Sequence, residues 1–185
     1  HTSSARDWSS DVCSSDLNQY FYIHKWFRNG IDTTLNGSYI AIPPFYPLYE
    51  GAHLVGNVII RDFDLYKLES ANDASTDPGI AYADLNDLEN TESQEGNYKR
   101  LEPGQDYSIS NDLGFIRLRN RSTNEAFGCT FVLANRQTGD TLLTVGSGII
   151  ATDSTSSLIL KMIKPISITP SHSTWDLMFK NVYYM

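Results

Sequence analysis

Acidic side chains are the most numerous groups in this sequence that could support chemistry. They form three groups: Asp62 with Asp64, Asp73 with Asp77, and Asp84 with Asp87 and Glu89. Carboxylate oxygens bind calcium, and a pair of carboxylates at the right separation hydrolyses glycosidic bonds. The ligand spacing of an EF-hand loop is absent, and nothing singles out one pair. We interpret these groups as solvated acidic loops, which leaves an acidic hydrolase as the weakest functional alternative.

Nucleophiles and metal ligands are equally sparse. No histidine lies three or four residues from another, so the sequence does not support a zinc site. Cys129 lies in an apolar stretch, which favours a buried small side chain over a reactive thiol. Ser157 and Lys161 are four residues apart, not the three of a Ser/Lys nucleophile motif, and no glycine-rich phosphate loop occurs. We predict no catalytic, cofactor-binding or metal-binding residue, and no enzyme.

Composition excludes several classes of protein. The chain has 185 residues, of which 41% are hydrophobic and 19% charged, and its net charge is −8. These fractions are unlike those of collagen, a coiled coil or a disordered tail. A negative surface repels phosphate, so a nucleic-acid partner is not expected. No apolar run approaches the roughly 20 residues of a transmembrane helix.

The first 17 residues look foreign to the rest. Arg6 to Leu17 is mostly serine and aspartate without helical or strand periodicity, and it resembles the translation of a common sequencing adapter. A flexible serine-rich linker is the alternative. We expect residues 1–17 to lie outside the native protein, and residues 18–185 to form a single segment cut at both ends. Without residues 1–17, which carry one arginine and three aspartates, the net charge would be −6.

Hydrophobic periodicity predicts the elements that would position any site. Residues 18–29 predict an amphipathic helix that Gly30 ends, with His24 and Lys25 facing solvent. The proline-containing stretch 31–52 predicts a loop or an edge segment, and 53–69 predicts a strand. Three further stretches are assigned as polar loops or left ambiguous: loops at 70–78 and 90–98, and a strand or a helix at 80–89.

The second half of the chain carries the clearer β signals. Asn111, Asp112 and Gly114 predict the turn of one hairpin, and the stretch from Gln137 to Asp140 predicts another. The apolar run 158–164 predicts a further strand. Ser173 or Thr174 would cap a terminal helix that begins near Trp175. The fold class is therefore mainly β with a few short helices (α+β), built from antiparallel hairpins.

Three stretches resemble one family. They are Thr174 to Tyr183, which is the most specific, Leu101 to Arg119 with the strands that follow, and Gln19 to Arg28. Their order and spacing resemble the SprA (Sov) family, the very large outer-membrane translocons of the type IX secretion system in Bacteroidota. The similarity spans nearly all of residues 18–185. Residues 70–98 do not match the family pattern, and the strand from Phe127 to Asn135 is less regular than the family's.

This resemblance implies a fragment of a larger β-barrel protein or of its extramembrane part, at the bacterial outer membrane or cell surface. The implied function is protein export, with gliding motility in some members. The implied partners are a barrel protein and a plug protein of the secretion system, and secreted cargo with a C-terminal sorting domain. No cofactor is implied. The residues leave one main alternative, a free-standing secreted β domain that binds glycan or protein.

Overall fold

The computed structural model describes residues 18–45, 55–147 and 157–180. The adapter-like segment 1–17 lies outside these ranges. Strands dominate the described residues, which confirms the mainly-β prediction. In chain order the elements are β1 (Tyr20–Tyr22), α1 (Lys25–Asn29), β2 (Ile31–Leu35), β3 (Ser38–Ile42), β4 (Val58–Glu69), β5 (Asp77–Tyr82), β6 (Ser93–Arg100), β7 (Tyr107–Ser110), β8 (Phe115–Leu118), β9 (Phe127–Asn135), β10 (Thr141–Val145), β11 (Leu158–Lys164) and a 3₁₀ turn (Trp175–Leu177).

The largest sheet closes on itself. Its strand order is β10-β9-β11-β5-β6-β4, and β9 also pairs with β4, so that β4, β9, β11, β5 and β6 form a ring. All of these pairs are antiparallel except β11 with β5, which run parallel. A bulge between Arg61 and Asp64 interrupts the pairing of β4 with β9. Such a bulge bends a strand, as a closed sheet requires.

The inside of the ring is filled by side chains. Its core consists of Tyr66, Ala81, Tyr98, Leu158, Leu160 and Met162, all buried. Glycines make room for this packing, because a Cβ atom on Gly128 would lie 2.8 Å from the Cβ atom of Leu160. The ring is therefore a packed structural unit.

A second core covers the outer face of the ring. A three-stranded sheet of order β1-β8-β7, the β2–β3 hairpin and α1 contribute to it. Phe21, Phe27 and Ile116 from these elements share one buried cluster with Leu65 and Ile163 from the ring. The two cores are separated only by the closed sheet, since alternate residues of a strand point to opposite faces.

The first element differs from its prediction. Residues 20–22 form a strand, because they pair with Phe115, Ile116 and Arg117 of β8. The helix is limited to Lys25–Asn29 and ends at Gly30, whose φ of 77° confirms the predicted stop. The prediction of a helix over 18–29 was therefore wrong in its first half, where cross-strand pairing outweighs a weak helical period.

Two stretches contain strands although one was predicted as a loop or an edge segment and the other as a polar loop. Within 31–52, residues 31–42 form the β2–β3 hairpin, and Asn36 and Gly37 adopt positive φ at its turn. Residues 93–98 belong to β6, where Tyr98 is fully buried and the alternating side chains are exposed. The loop predicted at 70–78 ends at Thr76, and the ambiguous stretch 80–89 begins as strand and leaves it after Tyr82.

The remaining predictions concern the hairpins and the C-terminal turn. Both predicted hairpins, β7–β8 and β9–β10, are confirmed, as are the strands β4 and β11. The predicted terminal helix is only the 3₁₀ turn Trp175–Leu177, and neither Ser173 nor Thr174 caps it through its side chain. Among the described residues, no helix has the length and apolar character needed to cross a membrane.

Candidate functional site

A cavity of about 380 Å³ opens beside α1, where four parts of the chain meet. One part is the start of α1, another is the loop 83–92 between β5 and β6, the third is β11, and the last is the segment around the 3₁₀ turn. Its lining residues are His24, Lys25, Trp26, Ala83, Asp84, Asn86, Asp87, Asn90, Thr91, Glu92, Lys161, Ser173 and Leu177. The volume is that of a small-molecule site.

The cavity has a buried floor and a polar rim. Lys161, Leu177 and Ala83 are buried and form the floor. The exposed lining residues form the rim: Lys25, Asn86, Asp87, Asn90, Glu92 and Ser173. Together with the half-buried Asp84, the acidic groups around the cavity outnumber the single exposed cation, Lys25. The charges therefore differ with depth, with a cation at the floor and mostly acidic groups above it.

Lys161 is the central group of the floor. It is 6% exposed, and its Nζ donates one hydrogen bond, of 2.8 Å, to the carbonyl of Met162. No carboxylate of the described residues forms an ion pair with it. Burial lowers the pKa of Lys161 to about 8, with Cys129 and Asp84 opposing that shift and Lys25 adding to it. At neutral pH most of this amine is a buried ammonium ion without a counter-ion.

Lys164 shows how the same strand satisfies another buried lysine. It is fully buried, and its Nζ donates to the carbonyls of Thr123, Glu125 and Pro165 at 3.4, 2.7 and 3.1 Å. An ammonium has three N–H donors, so these acceptors saturate it. Burial also lowers the pKa of Lys164 to about 8, with Glu125 opposing the shift. Lys164 does not line the cavity.

His24 and Trp26 form an aromatic wall. The Nδ1 atom of His24 accepts a hydrogen bond from the backbone N–H of Trp26 at 3.2 Å and so caps α1. Burial lowers the pKa of His24 to about 3, and the charges of Lys161 and Lys25 lower it further, against Asp84. The ring is therefore neutral at pH 7, with its proton on Nε2, because Nδ1 is the acceptor. The sequence prediction that His24 simply faces solvent was wrong, whereas Lys25 is exposed as predicted.

The loop 83–92 is closed at its base by two hydrogen bonds. The N–H of Ala83 donates to the carbonyl of Glu92, and the N–H of Asp84 donates to Oγ1 of Thr91, each at 2.9 Å. Glu92 ties this loop to the C-terminal segment, because its carboxylate accepts from the Ser173 hydroxyl at 2.6 Å and from the Ser173 N–H at 3.2 Å. The hydroxyl bond is the main reason why the pKa of Glu92 is lowered.

The structure places the acidic residues that the sequence analysis considered in different parts of the fold. Asp84 and Asp87 both line the cavity, while Glu89 does not. Asp64 pairs with Arg100 on the ring, at 2.6 Å, and the Asp73 carboxylate accepts from the N–H and hydroxyl of Ser75. Within the described ranges, no three His, Cys, Asp or Glu side chains are grouped so that they could hold a metal ion.

Cys129 is buried in the second core, as its apolar neighbours predict. It pairs with Lys161 across β9 and β11, and burial raises the pKa of its thiol to about 12. A thiol with so high a pKa is a poor nucleophile at neutral pH.

From the sequence, Lys161 was considered only as a partner of Ser157 and was not predicted as a residue of a binding site. The only signal was its position in the run Leu158 to Lys164, where two lysines interrupt an otherwise apolar strand. A lysine in a buried strand needs either hydrogen-bond acceptors or a cavity beside its amine. The sequence does not show which of these surrounds Lys161 and which surrounds Lys164.

No protein-family model matches the chain, and the curated proteins contain no match to it either.

Proposed function

We propose that residues 18–185 form an extramembrane β segment of an outer-membrane translocon of the type IX secretion system. Its role is structural: it supports protein export at the bacterial outer membrane or cell surface, and it has no catalytic activity. The proposal rests on the resemblance described above and on how the stretches that carry it pack together.

The carrying observation is that all three of these stretches meet in one cluster. Tyr20 of the stretch from Gln19 to Arg28 pairs with Arg117 of the stretch from Leu101 to Arg119 across β1 and β8. Phe179, from the C-terminal stretch that begins at Thr174, stacks on Tyr22 at a ring-centroid distance of 4.2 Å and lies 5.3 Å from the ring of Phe115. Phe21 also forms a β-bridge with Met178. Segments separated by more than 50 residues in sequence thus form one packed unit, which supports the view that the three stretches belong to one structural segment.

The surface of the ring supports an extramembrane position. A membrane-crossing strand has about 9–11 residues and an apolar side towards lipid. β5 and β6 have 6 and 8 residues, and β6 exposes Ser93, Glu95 and Lys99. The longer β9 is buried almost throughout by the protein itself. These faces suit contact with water or with a polar protein surface.

The proposed partners are the barrel and plug proteins of the secretion system and cargo with a C-terminal sorting domain. The test starts with an antibody against the isolated 185-residue chain, used on fractionated cells of the source bacterium. We expect a band in the outer-membrane fraction at a mass far above the 20.8 kDa of this chain. Deleting the codons for residues 18–180 in frame should then abolish export of a reporter protein that carries a sorting domain. Unchanged export would refute the proposal.

The cavity favours one second candidate, a free-standing secreted domain that binds glycan or protein. Its lining combines Trp26 with the amide groups of Asn86 and Asn90 and with carboxylates, and such a combination is typical of sites for polar ligands. The same fractionation separates the two candidates. A protein of the size of the chain in the culture medium would favour the secreted domain.

A further inference from the structure

The floor of the cavity holds a charge that the described protein leaves unpaired. The Nζ atom of Lys161 donates to one carbonyl and has two further N–H donors. A buried ammonium is strongly destabilising unless it is paired and hydrogen-bonded. Lys164, three residues further along the same strand, has three carbonyl acceptors. The two lysines differ in that only Lys161 borders an open cavity, which leaves room for a ligand to supply the missing acceptors.

We propose that this cavity binds a small ligand through a carboxylate, which pairs with the ammonium of Lys161 at the floor. A carboxylate supplies a negative charge and two acceptor oxygens, which are what the unsatisfied N–H donors require. The neutral ring of His24 adds a donor at the wall, since its proton is on Nε2. The site is independent of the proposed export role.

The acidic residues of the rim limit the charge of the ligands that the cavity can accept. Asp84, Asp87 and Glu92 surround the opening and disfavour ligands with several negative charges. The same groups attract an ammonium. Two sources of the carboxylate fit this arrangement: a simple monocarboxylate, or an amino acid whose ammonium faces the acidic rim while its carboxylate faces Lys161.

The test compares three probes with three carbon atoms each. Propionate carries only the carboxylate, propylamine only the ammonium, and L-alanine both. Binding to the ¹⁵N-labelled 185-residue chain is followed through the indole N–H signal of Trp26, which lines the cavity, with Trp175, which does not, as internal reference. We expect propionate or alanine to shift the Trp26 signal saturably. Tighter binding of alanine identifies the ligand as an amino acid, and equal binding identifies a simple carboxylate.

Two variants locate the contact. Lys161→Met removes the ammonium and nearly keeps the volume, and it should weaken carboxylate binding at least tenfold, about the effect of one charged hydrogen bond. Lys164→Met removes the equally buried lysine outside the cavity and should bind as the wild type does. Equal affinity in Lys161→Met, binding of propylamine alone, or no shift with either carboxylate at tens of millimolar would overturn the proposal.

A pH series on the wild-type protein tests the same contact without a variant. Affinity for propionate should fall about tenfold between about pH 7 and about pH 9, because the charged fraction of Lys161 falls by that factor. The other ionisable groups that act on Lys161 are Lys25 from α1, Asp84 from the loop and Cys129 from β9. His24 is neutral throughout this interval and the thiol of Cys129 stays protonated. An affinity independent of pH would contradict the pairing with Lys161.

Discussion

The two buried lysines of β11 should make the protein more stable as the pH rises from about 7 to about 9. In the folded chain the pKa of Lys161 and of Lys164 is about 8, against an ordinary value of 10.5. Between these two values the unfolded chain binds more protons than the folded one, and the free energy of unfolding therefore increases with pH. The destabilisation is complete below the folded pKa and is relieved as the pH rises through it.

The size of the effect follows from these values. Each lysine should contribute about 1.3 kcal/mol to the increase between about pH 7 and about pH 9. Lys161 is 6% exposed and Lys164 0%, so solvent screening is small. Cys129 opposes the lysines, because burial raises its pKa from 9.0 to about 12 and the unfolded chain loses this proton first. That effect amounts to about 0.4 kcal/mol at about pH 9, which leaves a net increase of about 2 kcal/mol.

Between about pH 7 and about pH 9, most other groups with shifted pKa values contribute little to the change in stability. The pKa of His24 is lowered from 6.5 to about 3, so its effect on stability is largely complete below neutral pH. Tyr66 and Tyr107 have pKa values raised above 10.0, and their titration begins above the interval. The lowered pKa values of Asp73 and Glu92 matter only in acid.

The assay is urea unfolding followed by tryptophan fluorescence at about pH 7, 8 and 9. The wild type should gain about 2 kcal/mol over this interval, and Lys161→Met and Lys164→Met about 1 kcal/mol each. A wild-type stability that is flat or falls with pH would show that these amines are not buried as described. An unchanged increase in Lys161→Met would show the same for Lys161 alone.

Three further predictions test the packing. Gly114→Ala should destabilise the protein by about 3 kcal/mol in urea unfolding, because its Cβ atom would collide with the Phe27 ring at a φ of 68°. Gly104→Ala, with φ 82° and open space around it, is the matched control and should cost about 1 kcal/mol; equal losses would contradict the contact. Cys129, in a Cys13→Ser background, should react with a thiol reagent only in denaturant, and rapid reaction of the native protein would disprove its burial. Phe179→Ala should lower the stability by about 2 kcal/mol through loss of the ring stack on Tyr22, and a change near zero would place the C-terminal stretch outside the fold.

Apolar strand patterns and turn residues correctly predicted the hairpins in which both signals are strong. The β9–β10 hairpin combines apolar strands with a Thr138-Gly139 turn, and Gly139 has the positive φ that such a turn needs. The β2–β3 hairpin has a similar turn at Asn36 and Gly37, but the prolines that follow it led to the prediction of a loop or an edge segment over 31–52. The sequence of this hairpin contained a clear turn signal, but the prolines after it were given more weight than the Asn36-Gly37 pair.

The strand β6 could not be predicted from its own residues. Its sequence from Ser93 to Arg100 is polar, and Tyr98 is its one buried side chain. It is a strand because its backbone pairs with β5 on one side and with β4 on the other. Gly96 allows this position, since a Cβ atom there would lie 2.5 Å from Leu68. Pairing on both edges is a property of the closed sheet, and no short window of sequence contains it.

The cavity illustrates the same limit for function. Its lining comes from residues 24–26, 83–92, 161 and 173–177, which only the complete fold brings together. The sequence shows that Lys161 and Lys164 interrupt one apolar strand, but it does not distinguish their surroundings. The difference between them is set by distant backbone: Thr123, Glu125 and Pro165 provide carbonyls around Lys164, whereas Lys161 meets the open space beside α1.

This difference bears on why Lys161 lies where it does. Its displaced pKa corresponds to about 3 kcal/mol of destabilisation at neutral pH, which is a large fraction of the stability of an ordinary domain. A methionine of similar volume would fill the same position without that penalty. Lys164 carries a similar penalty, but three backbone carbonyls accept its N–H donors. At the floor of the cavity only one of the N–H donors of Lys161 has an acceptor among the described residues, and such conflicts between sequence and packing are expected where a residue serves binding rather than folding. A carboxylate bound at Lys161 would remove the conflict by supplying the counter-ion that the fold omits.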